Sequence, residues 1–201
     1  AEMDDRSARL LRDDVLAEMA DGAQLPLIDA MARMVRGDSL DGIATAIAAS
    51  REYFAAPLTR DQALELVGLP SGYQDEDCWA LGFDGSEQAL FRRVLPVLLQ
   101  TTSTMVDLAN RLAPLDLDPP TSATMEVLFA ALLKKDGQPN FNKVPTTNAG
   151  KALGPLLEEF HAFMQRIADV KESLLALAAA EKTLNLHRFA AGFLPEYAGR
   201  K

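Results

Sequence analysis

Residues 155 to 187 read PLLEEFHAFMQRIADVKESLLALAAAEKTLNLH, and after Pro155 this stretch contains neither proline nor glycine. Its apolar residues recur at alternating steps of three and four, a spacing that returns them to one stripe of a helix. They are Leu156, Phe160, Phe163, Ile167, Val170, Leu174 and Leu177, followed after Glu181 by Leu184. Such a stripe must be buried against another element. We therefore predict one long helix over about 155–187, roughly 50 Å in length at 1.5 Å per residue.

A second stripe with the same spacing lies within residues 85–113. Its members are Phe91, Leu95, Leu98, Thr102, Met105, Ala109 and Leu112. Pro96 lies inside this segment and has no backbone N–H, so it predicts a kink or a division of the helix. The two stripes predict an all-α fold, a bundle of about seven helices whose two longest, about 85–113 and 155–187, carry a heptad pattern.

The distribution of glycine, proline and acidic residues suggests how this bundle is divided. We predict an N-terminal helical subdomain over 1–68, an acidic and aromatic loop over 69–84, and a C-terminal long-helix bundle over 85–201. One continuous domain is the alternative. The loop contains Pro70 and Gly72, and residues of these two types interrupt helices.

Two short motifs predict helix starts. Thr59 with Gln62, and Asp84 with Glu87, have the spacing of a capping box. The first opens a segment, 58–69, that resembles the first helix of a helix-turn-helix. A basic recognition helix should follow in a DNA-binding protein. The acidic loop follows instead, so we interpret 58–69 as a packing unit.

Composition limits the classes of function. The 201 residues carry a formal net charge of -9, which disfavours broad attachment to a phosphate backbone or to an anionic membrane. The single cysteine, Cys78, rules out an intramolecular disulfide framework and a zinc cluster built from cysteines. No apolar run is long enough to span a bilayer. We expect a cytoplasmic protein, with a processed exported protein as the alternative.

The residue types that most often carry chemistry do not form a complete set. Glu158 and His161 have the Glu-x-x-His spacing of di-iron bundles, but the only other histidine, His187, follows Leu184 at the corresponding position. A dimer that shares one motif per subunit is the alternative. Cys78 is preceded by acidic residues that oppose thiolate formation. We therefore expect no metal, no cofactor and no catalytic residue.

Asn148 to Lys151 reads NAGK, like the end of a phosphate-binding loop. The earlier glycine, the Ser or Thr after the lysine and a preceding strand are all missing, so the motif is incomplete. We expect Gly150 to form a turn within an irregular, exposed connection over 137–151.

Two segments are candidates for contact with a partner. Between Pro70 and Leu90 acids alternate with aromatic residues and neither Lys nor Arg occurs. Acids steer a basic partner and aromatic rings supply contact area. The partner-binding candidates of this segment are Tyr73, Asp75, Glu76, Asp77, Trp79 and Phe83. The alternative is that the rings cover the end of the bundle.

The second segment is basic. Lys134, Lys135, Lys143 and Lys151 surround Phe141, and Asp136 is the only acid among them. Such a segment suits nucleic acid or an acidic protein. The alternative is four solvated lysines.

We therefore expect a non-enzymatic protein that binds another protein, or a second copy of itself, as an adaptor or regulator. Glu181 interrupts the long stripe, and a polar residue at such a position can specify register or partner. The first alternative is an accessory factor of nucleic acids that uses the lysines of 134–151. The second is a helical metalloenzyme built on His161.

Overall fold

The protein is described by a computed structural model that covers residues 4–34 and 39–200. Within these ranges it contains ten α-helices and no strand, which confirms the all-α prediction but with more helices than the seven expected. The helices are α1 (Asp5–Asp21), α2 (Leu25–Met34), α3 (Leu40–Ala49), α4 (Arg60–Leu66), α5 (Asp75–Ala80), α6 (Glu87–Leu98), α7 (Ser103–Leu112), α8 (Ser122–Leu132), α9 (Thr147–Leu153) and α10 (Leu156–Gly199). A single 3-10 turn, Arg51–Phe54, follows α3.

The chain folds into two compact units. The terminal unit contains the described residues up to Gly72 together with those from Leu177 onward, and the central unit contains Tyr73–Ala176. The first break lies within the predicted loop 69–84. The residues after 176 group with the N-terminal helices and not, as the division at 85–201 expects, with the rest of the C-terminal part.

The terminal unit is built around α1, which contacts α2 and α3. Asp4 starts α1 by accepting a hydrogen bond from the backbone N–H of Ser7 at 2.8 Å. The core of this unit consists of Val15, Met19, Ile28, Met31, Ala44, Ile47, Phe189, Ala190, Phe193 and Tyr197. Helix α4 begins with the predicted capping box, in which the Thr59 backbone N–H donates to the Gln62 side chain at 2.9 Å.

The central unit has the larger core. Helix α6 contacts α7 and α9, and α7 contacts α8. Phe160, Phe163, Met164, Ile167 and Val170 on the first part of α10 are fully buried in this core. The stripe that predicts the long helix therefore supplies much of the interior of this unit.

The predicted helix over 85–113 is wrong as a single element, because α6 ends at Leu98 and α7 begins at Ser103. Pro96 lies inside α6, two residues before its end. The Thr101 hydroxyl donates to the Leu98 carbonyl at 2.8 Å and satisfies an acceptor that a continuing helix would use. The missing N–H of Pro96 and this side-chain bond together account for the break.

The long helix continues further than its predicted end at His187. Phe189, Phe193 and Tyr197 are buried beyond that point, so helix α10 reaches Gly199. Gly192 lies within it, where an added Cβ would be 3.1 Å from Gln24 Oε1 and 3.2 Å from Leu27 Cδ1. A side chain here would require Gln24 and Leu27 to shift by a few tenths of an ångström.

The predicted loop over 69–84 is also only partly correct, because it contains the short helix α5, Asp75–Ala80. Acids in the first turn of α5 favour this helix through the positive end of its dipole. Gly82 follows, and a Cβ at this position would be only 2.6 Å from Val170 Cγ2 on α10. The backbone of this turn lies directly against the long helix.

A buried ion pair holds the same turn. The Glu87 carboxylate accepts hydrogen bonds from the backbone N–H groups of Asp84 and Gly85, both at 3.0 Å, and from Arg166 Nη2 at 2.8 Å. Arg166 Nε donates to the Gly82 carbonyl at 3.1 Å. The predicted capping box is thus half correct. The Glu87 side chain binds the backbone N–H of Asp84, as the motif requires, but the Asp84 side chain accepts from the backbone N–H of Ser86 at 2.9 Å.

Gly82→Ala should lower the free energy of unfolding of the central unit by about 1–3 kcal/mol, because the new methyl group overlaps Val170. Urea unfolding followed by the fluorescence of Trp79, which lies in this unit, measures the effect. Gly150→Ala is the control, since its Cβ would meet no atom closer than 3.6 Å. Val170→Ala should partly restore the Gly82→Ala variant; equal losses with and without that second change would contradict the overlap.

Glu87→Gln should lower the free energy of unfolding by about 1–3 kcal/mol, because it removes the buried charge that accepts from Arg166 and from two backbone N–H groups. The matched control is Glu159→Gln, which removes a solvent-exposed partner of Arg93 and should change the stability much less. The same urea titration measures both variants. Similar losses for the two substitutions would show that burial does not distinguish the pairs.

Candidate binding site

The aromatic residues of the acidic segment point toward the interior of the central unit. Phe83 contacts Phe163 edge-on with ring centroids 6.3 Å apart, and both Phe83 and Trp79 pack against the core. The Tyr73 hydroxyl is 3.0 Å from the Ser173 hydroxyl, which also contacts the Cys78 sulfur at 3.3 Å. The contacts favour the alternative given for these rings, that they cover the core.

The acids of this segment lie on the outside. Asp75, Glu76 and Asp77 are exposed in the first turn of α5. Asp77 caps its own helix by accepting from Gln74 N at 2.8 Å. A role for these acids in partner binding stays a prediction. The aromatic rings expected to add contact area pack inward instead.

Glu181 lies in the terminal unit, where its carboxylate forms an ion pair with Arg60 of α4 at 2.7 Å. Both side chains are more than a third exposed, so the pair contributes little stability. The polar residue that interrupts the stripe thus joins two helices of one unit. Its role in choosing a partner stays a prediction.

The lysine segment is not the continuous loop that the sequence suggests. Helix α8 ends at Leu132, so Lys134 and Lys135 lie beyond it in a tight turn closed by the Lys134 N to Gln138 O bond at 2.8 Å. Lys151 lies in helix α9. Lys134, Lys135, Lys143 and Lys151 are all exposed, and none of them forms an ion pair with a described residue.

An open cleft of about 490 Å³ lies between the 141–147 segment, α9 and the first turns of α10. We call it the α9 cleft. It is lined by Phe141, Asn142, Pro145, Thr146, Thr147, Gly150, Lys151, Leu157 and His161. Of the four lysines, the structure brings Lys151 into the lining and Lys143 next to it in sequence, whereas Lys134 and Lys135 are not lining residues.

Two polar atoms of the lining have no hydrogen-bond partner in the described structure. They are Thr146 Oγ1 and His161 Nε2, and each is covered from solvent. Thr146 precedes α9 but its hydroxyl does not cap the helix. Buried polar atoms usually have a hydrogen-bond partner, so these two are the atoms of the lining that a ligand could engage.

Phe141 covers one side of His161. The two rings are tilted by 49° with centroids 4.6 Å apart, and Phe141 itself is 40% exposed. Loss of solvation on burial lowers the pKa of His161 from its ordinary value. Burial therefore disfavours the charged form of an imidazole that lines a solvent-open cleft.

Gly150 shapes the floor of the cleft. It is buried within α9, and its φ is not in the left-handed region. A Cβ at this position would lie 3.6 Å from Leu157 Cδ2 and 3.8 Å from Pro145 Cγ, which are ordinary contacts. The expected turn at Gly150 is thus wrong, and no steric contact requires glycine there.

The Glu-x-x-His motif does not gather metal ligands in the structure. Glu159 forms a two-point ion pair with Arg93, whose hydrogen bonds lower the pKa of this carboxyl group. Across residues 4–34 and 39–200, no group of three or more His, Cys, Asp or Glu side chains is placed to hold a metal ion. Cys78 is fully buried in α5.

No family model, curated protein or solved structure matches this chain. None of the helices in the described ranges is long and apolar enough to cross a membrane.

The sequence signals of the α9 cleft are present but scattered. Phe141 and the lysines indicate a basic segment. Gly150 and Lys151 belong to an incomplete phosphate-loop motif, and His161 belongs to a metal-binding motif that occurs only once in the chain. Only the fold brings these three into one lining. The unpaired atoms of Thr146 and His161 have no sequence signal.

The lowered pKa of His161 predicts a pH effect on stability. An unfolded histidine titrates near 6.5, so below that pH the unfolded chain binds more protons than the folded state. The stability that neutral His161 contributes is fully present above that value and is lost as the pH falls through the lower folded pKa. Urea unfolding between about pH 7.5 and 5 should show a smaller decline for His161→Gln than for the wild type.

The matched control is His187→Gln, which removes the other histidine, itself 5.0 Å from the ring of Phe54 in the terminal unit. An identical decline in the wild type and in His161→Gln would contradict the predicted effect of burial.

Proposed function

We propose that this chain is a non-enzymatic binding protein that recognises an acidic segment of another protein at the α9 cleft and the lysines beside it. The observation that carries the proposal is the charge pattern of the central unit. Lys134, Lys135, Lys143 and Lys151 lie exposed without an ion-pair partner in the described structure, on a chain whose net charge is -9.

Two arginines of this unit behave differently. Arg93 is paired with Glu159, and Arg166 with Asp84 and Glu87. These ion pairs join helices, so their charges are used within the fold. The lysines of 134–151 form no such pairs, which is the arrangement of a surface that attracts an acidic partner.

The shape of the cleft supports a protein segment as that partner. A volume of about 490 Å³ suits one or two side chains, and Phe141, Pro145 and Leu157 supply apolar walls. Nucleic acid is less suited, because Phe141 is the only aromatic platform among the lysines and the segment 134–151 contains no arginine. A polyanion would also meet repulsion from the net charge.

This proposal places the contact surface at 141–151 and not at the acidic and aromatic segment 73–83. The rings of Tyr73, Trp79 and Phe83 are engaged within the central unit. We do not include a metalloenzyme, since no three His, Cys, Asp or Glu side chains within residues 4–34 and 39–200 are placed to hold a metal ion.

The test is selection of a library of random short peptides displayed on a carrier, with the full-length protein as the target. We expect enrichment of peptides with Asp or Glu next to an apolar residue. The variant Lys143→Glu/Lys151→Glu should bind them about tenfold more weakly, which is about 1.4 kcal/mol. Lys182→Glu reverses an exposed charge in the terminal unit and serves as the control.

Several results would contradict this function. They are enriched peptides without acids, no enrichment at all, or equal binding to the doubly reversed variant. Salt-dependent binding of a single-stranded oligonucleotide that is lost in the same variant would assign the surface to nucleic acid. Self-association that this variant abolishes would assign it to a second copy of the chain.

A further inference from the structure

We infer that the α9 cleft receives one carboxylate group of the acidic partner, and that His161 takes up a proton as this carboxylate binds. The inference rests on the proposed function and names the chemical group that enters the cleft. It is carried by the polar atoms of the lining and by the space at Gly150.

The lining presents donors for an acceptor. Lys151 donates only, the Thr146 hydroxyl can donate, and a protonated His161 donates from both ring nitrogens. A carboxylate is the side-chain group that only accepts. Thr146 Oγ1 and His161 Nε2 are buried and have no protein partner. A carboxylate that displaces the exposed Phe141 ring would provide acceptors for both.

The proton comes from solvent. One H⁺ adds to the unprotonated nitrogen of the imidazole, and no other bond changes. Because both nitrogens of the imidazolium carry hydrogen, Nε2 becomes a donor whichever tautomer the free protein holds. Burial opposes this charge in the free protein, and an adjacent carboxylate favours it, so protonation and binding strengthen each other.

The charged groups around His161 agree with a neutral ring in the free protein. On α9 the charged residue of the lining is Lys151, and on the 141–147 segment Lys143 follows the lining residue Asn142. On α10 itself, Glu158 is exposed to solvent and Glu159 is held by Arg93. Lys151 thus lines the cleft and Lys143 follows a lining residue, whereas Glu158, three residues before His161, is exposed to water. The anion that would stabilise an imidazolium must come from the ligand.

Gly150 supplies an independent observation. In a buried helical position glycine is less favourable than alanine by about 0.5–1 kcal/mol, and alanine would fit here with ordinary contacts. What the missing methyl group provides is room in the cleft. Gly150→Ala therefore removes space from the site while it should raise the stability of α9.

The first experiment follows the ring signals of the two histidines by NMR during pH titrations of the full chain. The probes are benzoate and its neutral analogue benzamide. Benzoate should raise the pKa of His161 by about one unit, whereas benzamide should leave it unchanged. The ring signals of His187, in the terminal unit, should not respond to benzoate.

The second experiment uses the peptides enriched by the library. Wild-type affinity should rise about tenfold between about pH 7.5 and 5.5, where the carboxylates of the peptide stay ionised. His161→Gln keeps an amide donor but cannot titrate, so it should bind with an affinity that does not change with pH. Gly150→Ala should bind benzoate at least about threefold more weakly, without loss of stability.

The outcomes separate the two proposals. Enriched peptides that bind with no pH dependence, together with an unmoved His161 signal, would overturn the inference and leave the function standing. A benzoate-dependent shift of His161 without any enriched acidic peptide would support the carboxylate site and overturn the function. Equal effects of benzoate and benzamide, or wild-type pH dependence in His161→Gln, would overturn the inference.

Discussion

The central unit depends on the contact between Glu87 and Arg166. Burying a carboxylate is costly unless its oxygens are fully bonded, and Glu87 meets that requirement with two backbone N–H groups and one guanidinium. The same guanidinium binds the Gly82 carbonyl, so a single interaction fixes the start of α6, the turn before it and its position against α10. Gly82 lies against Val170 with no space for a side chain. On either side of it in the sequence, Trp79 and Phe83 pack against the core of the central unit.

The fold divides its charged residues into those used internally and those left for solvent. Each ion pair of the central unit joins α10 to α6 or to the turn before α6. The acids in the first turn of α5 are stabilised locally by the helix dipole. The lysines of 134–151 have no comparable partner in the described structure, and one of them, Lys151, lines the cleft that also contains the two unpaired polar atoms. Local charge at one surface is thus opposite to the net charge of the chain.

A long helix with a regular apolar period is easier to predict from the sequence than a short helix. The stripe from Phe160 to Leu184 indicates α10 because seven turns of regular spacing leave little ambiguity, and the capping box at Thr59 identifies the start of α4. Helices α5 and α9 have six and seven residues, too few for a period to emerge. The break after Leu98 depends on the rotamer of Thr101, and the extension past His187 depends on burial of Phe189 and Phe193 in the terminal unit. Such features are decided by tertiary contacts, so local patterns do not reveal them.

The candidate site illustrates the same limit. Leu157 and His161 are four residues apart and therefore share one face of α10, and α9 approaches this face at Gly150. A glycine in a sequence is ordinarily explained by a turn or by a close approach, and NAGK suggests the first. The backbone at Gly150 is helical and the space beside it is sufficient for a methyl group, so neither explanation applies. What distinguishes Gly150 from Gly82 and Gly192 is that a methyl group would fit at its position with ordinary contacts, in the lining of a cleft that also includes Thr146 and His161. That combination is a property of the assembled cleft, and it gives this surface, more than the acidic and aromatic segment, the features of a binding site.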